Sequence, residues 1–138
     1  ADMTLKTGTQ ALRSLTFTIS NGMATTDDGN TTTLTNLVFT RTQTEGQATT
    51  AQTAGLAALN DDVFEITLTG EGINSAGKNF TISTPKTLLR KLNCRWISTG
   101  KLELKSPLTT STLDFGTGDC DNQLVATVGN ESKTIDLP

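Results

Sequence analysis

Phe64, Ile66 and Leu68 alternate with Glu65, Thr67 and Thr69, and Leu15, Phe17 and Ile19 alternate in the same way with Thr16, Thr18 and Ser20. Apolar residues at every second position share one face of a pleated strand and leave the polar ones on a wet face. The pattern returns in Lys101-Leu102-Glu103-Leu104-Lys105, at Leu124, Ala126 and Val128, and at Ile135 and Leu137. Threonine supplies 29 of the 138 residues. Its β-branched side chain suits a half-buried pleated surface, so composition and periodicity agree on strands. The length suits one domain over residues 1–138.

Turn-forming residues divide this pattern. Asn21-Gly22 is expected to end the first strand, and Asp27-Asp28-Gly29-Asn30 to turn the chain into a second one around Leu37-Val38-Phe39. The Ala-rich stretch 48–59 is the one place for a short helix, weakened by Gly55 and its threonines. Gly70-Glu71-Gly72 and Ser75-Ala76-Gly77 are expected to bracket the turn of a hairpin that returns through Phe80 and Ile82. Pro85 is expected to break the ladder. A strand from about Leu89 would then carry Cys94 and Trp96 on its core face until Gly100 turns it. Eight to ten short strands without alternating helices, a count of about that size, predict an all-β fold, either an antiparallel β-sandwich or a curved sheet.

A formal net charge of −3 with no basic block argues against nucleic acid, whose backbone calls for clustered Lys or Arg. No apolar run approaches the ~20 residues of a transmembrane helix, and the sequence reads as that of a mature, soluble product. The only two cysteines, Cys94 and Cys120, lie far apart, and neither has a His or Cys partner at metal-ligand spacing. They read as one structural disulfide in a protein outside the cytoplasm.

The most site-like stretch is Asp114-Phe115-Gly116-Thr117-Gly118-Asp119-Cys120-Asp121-Asn122. Asp114, Asp119, Asp121 and Asn122 offer oxygen ligands suited to Ca²⁺, although the spacing departs from the EF-hand loop. The competing reading is a tight turn whose Asp and Asn side chains bond local backbone N–H groups. No cofactor is expected beyond such a Ca²⁺. There is no histidine to serve a Ser or Thr nucleophile, and the scattered Glu65, Glu71, Glu103 and Glu131 come without aromatic platforms for sugar rings. Catalysis is therefore not expected. Arg95 and Trp96, as neighbours on a strand, would point to opposite faces and could not stack. Repeated Thr-x-Thr at 16–18, 40–44 and 67–69 reads as an ordinary wet strand face.

Cys94-Arg95-Trp96-Ile97-x-x-Gly100-Lys101-Leu102-Glu103, then Leu113-Asp114-Phe115-Gly116-x-Gly118-x-Cys120-Asp121-Asn122 and a closing glycine-turn hairpin, resemble the C-terminal β-domain of secreted lipoproteins of Bacteroidetes. The resemblance covers roughly residues 77–138 and departs from the family in having no lipid-attachment cysteine near Ala1 and Phe rather than Tyr at 115. It implies a cell-envelope location and supports the Cys94–Cys120 bridge, and it implies no activity. The function expected is a non-catalytic structural or adhesive protein of a cell surface. Self-assembly would use edge strands, with Thr4–Gln10 or Thr134–Pro138 as candidate donors. A Ca²⁺-assisted glycan-binding module is the alternative.

Overall fold

The computed structural model describes residues 2–7, 13–46, 55 and 60–138. Among them the chain forms nine strands: β1 (Asp2–Thr7), β2 (Arg13–Thr25), β3 (Thr31–Glu45), β4 (Val63–Ile73), β5 (Asn79–Lys91), β6 (Ile97–Lys105), β7 (Thr110–Thr117), β8 (Gln123–Val128) and β9 (Glu131–Asp136). They lie in sequence order in one open antiparallel sheet. Of the two expected architectures, the described residues form the single open sheet and no sandwich. An apolar face reads the same in sequence whether a second sheet covers it or not. The short helix expected over 48–59 lies outside the described residues, apart from Gly55.

Strand register sorts the side chains. One row runs from Ile19 through Leu37, Gly70, Ile82, Leu104 and Ser111 to Val128. The adjacent row, on the opposite face, runs from Thr18 through Val38, Thr69, Ser83, Glu103, Thr112 and Thr127 to Ser132. The alternation in each strand has thus become one apolar and one hydroxyl-rich face across the sheet. On the latter, hydroxyls meet across strands, Ser14 with Thr42 at 3.1 Å and Thr127 with Ser132 at 2.8 Å.

Four strands are longer than their turn-forming residues predicted. β2 passes through Asn21, at φ 56°, and β4 passes through Gly70 and Gly72 to Ile73. β5 passes Pro85, where pairing lapses between Ser83 and Lys86 toward β6 and between Ile66 and Thr69 toward β4. A proline has no N–H for the ladder and is tolerated at such a bulge. The hydroxyl of Thr84 accepts the Leu68 N–H there at 3.2 Å. Gly100 lies within β6 at φ 113° rather than turning it.

The β2–β3 and β4–β5 turns share one design. Thr26 N–H bonds Asn30 O and Gly29 N–H bonds Thr26 O, as Asn74 N–H bonds Lys78 O and Gly77 N–H bonds Asn74 O, each at 2.9 Å. Gly29 and Gly77 hold the left-handed position that such three-residue hairpin loops need. Among the described apolar residues only Val63, Leu88, Cys94 and Leu124 are buried, together with polar Gln43, Asp62 and Ser98. Gln43 Nε2 donates to Asp62 Oδ1 at 3.0 Å and to Glu45 O at 3.1 Å, joining the end of β3 to the start of β4.

Candidate functional site

The two cysteines lie in connections at one end of the sheet. β5 ends at Lys91, and the turn 92–96 is closed by Cys94 N–H on Lys91 O at 3.0 Å. Cys94 is therefore in a turn and not on a strand, yet only 1% exposed. It is bonded to Cys120 in the connection between β7 and β8, with Cα atoms 5.7 Å apart across 26 residues of sequence. The bridge links the β5–β6 turn to the β7–β8 connection. Ser98, equally buried near the start of β6, donates its hydroxyl to Leu89 O at 3.3 Å.

Leaving the strand also changes Arg95 and Trp96. The guanidinium stands 5.7 Å from the centre of the Trp96 ring, a cation–π contact that adjacent strand residues could not make. Trp96 is half-buried rather than central to a core.

Each oxygen-bearing residue of the acidic turn can be placed. Asp114 accepts the Gly116 N–H at 3.0 Å through Oδ1, and its Oδ2 lies 3.4 Å from Lys101 Nζ on the neighbouring strand. Asp121 accepts the Gln123 N–H at 3.1 Å. Asn122 donates its side-chain amide to Leu137 O at 3.0 Å, while Leu137 N–H bonds Asn122 O at 2.7 Å. Asp119 is exposed. Gly116 and Gly118 occupy positive φ, 94° and 132°, which lets the chain leave β7 so sharply. Asp114 and Asp121 border one depression of about 200 Å³ with Phe115, Leu124 and Thr134. The polar contacts of three of the four residues are those of turn and edge construction. Among the described residues no group of three or more His, Cys, Asp or Glu side chains is placed to hold a metal.

Two broader features stand beside this corner. The first is the pair of outer strands. β9 pairs with β8 alone in the sheet order, and all six of its residues are exposed. Because Leu137 N–H bonds Asn122 O, the alternation of an antiparallel ladder turns the backbone groups of Lys133 and Ile135 toward β8 and those of Ser132 and Thr134 outward. The second is the apolar face. It carries a trough of about 240 Å³ lined by Thr32, Asn74, Phe80, Leu104 and Ser111 among others, so the face is concave at that end. At its other end the Arg41 guanidinium lies 4.6 Å over the Phe64 ring. Register sets Arg41 opposite Ile66, two residues along β4 from Phe64. Only cross-strand register could add Phe64 beneath it.

No helix of the described residues is long and apolar enough to cross a membrane. Comparison of the chain with protein-family models, with curated proteins and with solved structures found no match.

Proposed function

We propose that the protein is a non-catalytic structural or adhesive module of a cell surface, outside the cytoplasm, that joins further copies of itself through the edges of its sheet. The observation that carries this reading is the open meander with β1 and β9 as its outer strands. An outer strand offers a row of backbone N–H and C=O groups to another chain. The disulfide and the resemblance to envelope β-domains support the location.

Topology narrows the mode of joining. Every neighbouring pair is antiparallel and the strands number nine, so β1 and β9 run in the same direction. Head-to-tail copies facing the same way would pair β9 with β1 in parallel. Copies related by a two-fold axis pair like edge with like edge in the slightly more stable antiparallel ladder. Centred on Thr134, β9 would set Lys133 opposite Ile135 and Ser132 opposite Asp136, with no like charges facing. Alternation of β9–β9 and β1–β1 contacts then builds a filament.

Electron microscopy and light scattering at high protein concentration test the reading. Filaments or ladders of oligomers are expected, and Thr134→Pro, which removes an outward N–H, should abolish them. A protein that stays free of such assemblies at every concentration would end it.

A further inference from the structure

Among the described residues no element covers the apolar face. Along its central row Ile19, Leu37 and Ile82 are half-buried, while Leu104 and Val128 are 43% and 54% exposed. These residues are shielded by their neighbours within the sheet and by nothing above it among the described residues. Sheets with one apolar face become stable by placing that face against another layer.

We propose that this face is covered by the same face of a second copy, so that two chains complete the two-layer sandwich that one chain lacks. Area and charge carry the proposal. Eight spacings of about 4.8 Å across nine strands, by a shared strand length of about 20–25 Å, give about 770–960 Å² per copy. Two copies would bury about 1,500–1,900 Å², within the standard range for specific complexes. The accessible surface of the whole chain, 8942 Å² for 14.6 kDa, exceeds the roughly 6,900 Å² expected of a compact monomer of that mass.

A surface that meets itself must not bring like charges together at its centre. The row from Ile19 to Val128 contains no charged residue. Register and alternation place Arg13, Arg41, Arg90, Glu131 and Lys133 on this face, and all five lie toward its margins. An apolar centre with charges at the rim is the composition of a homodimer interface.

This inference is independent of edge assembly, and one set of variants separates the two. Sedimentation equilibrium of the full chain should give a mass twice 14.6 kDa at concentrations where filaments have not formed. Leu104→Lys with Val128→Lys places two charges in the contact and should weaken dimerisation at least about tenfold. Ile73→Lys with Val125→Lys alters residues of similar exposure, 42% and 40%, on the opposite face and should leave the dimer intact. Thr134→Pro should also leave it intact while removing filaments. Thermal melts identify any variant that fails to fold. A monomeric unmodified chain, or equal loss of dimer in both pairs of variants, would overturn the proposal.

Discussion

The ring of Phe80 lies against Gly72, its partner on the neighbouring strand, with Cζ 2.8 Å and Cε1 3.0 Å from where a β-carbon on Gly72 would stand. The same β-carbon would meet the carbonyl oxygen of Thr33 on the other side. Gly72 thus leaves room for the aromatic ring on one side and for backbone on the other. Gly72→Ala is expected to cost about 1–3 kcal/mol, because backbone cannot yield as a side chain can. Gly129→Ala meets nothing within 4 Å and carries only the strain of φ 60°, about 1 kcal/mol. Chemical denaturation of both variants checks the order.

Reduction of the disulfide, or Cys94→Ala with Cys120→Ala, should destabilise the protein by about 3–4 kcal/mol, the chain-entropy value for a loop of this length. Calorimetry with and without reductant measures it. Two free thiols in protein from its native source would remove the main support for the extracytoplasmic location.

Asp62→Ala removes the charged acceptor of a buried amide, since Gln43 is 4% and Asp62 6% exposed. A loss of about 1.5–3 kcal/mol is expected. Replacing both residues by apolar ones of similar shape should recover part of it. A double-mutant cycle in urea gives the coupling.

In the β2–β3 turn the Thr26 hydroxyl and the Asn30 backbone N–H hold the Asp28 carboxyl below its ordinary pKa of 3.8. Folding lowers this pKa, so the turn's contribution is fully present above 3.8 and is lost as pH falls through the lower folded value. Carboxyl-carbon NMR titration should show the depressed value, and Thr26→Ala should move it back toward 3.8.

Asp114→Ala and Asp121→Ala should each lower stability by about 1 kcal/mol in the presence of a chelator, because each carboxylate accepts a backbone N–H. Melting curves with chelator and with Ca²⁺ separate a turn-building role from a metal-holding one. Loss of stability seen only in Ca²⁺ would favour the metal.

Much of the sheet was legible in alternation, because each strand has one wet and one apolar face: Leu15 to Ile19, Phe64 to Leu68 and Leu124 to Val128 all fall within strands. The errors came from Asn21, Gly70 and Gly100, whose local preferences favour turns; at Pro85 the ladder lapses as expected, but the strand runs on. Pairing on both sides of an inner strand outweighs one residue's preference, and bulges absorb what remains. Cys94 and Trp96 were misplaced for the reverse reason: parity continues formally through a turn. The acidic stretch showed its residue types in sequence, but the bond from Asn122 to Leu137 depends on the return of β9. Nothing in a single sequence distinguishes an apolar face covered by its own chain from one left open.

The Cys94–Cys120 bond also determines how the molecule would bear tension. A force pulling the two ends of the chain apart would pass from the 92–96 turn directly through two sulfur atoms to the β7–β8 connection. The 26-residue span between them, about 90 Å of contour at roughly 3.4 Å per residue, contains β6 and β7 and cannot be drawn out while the bond is intact. A tether under shear would therefore yield first in the unbridged strands on either side, and the bridged hairpin would not lengthen the tether.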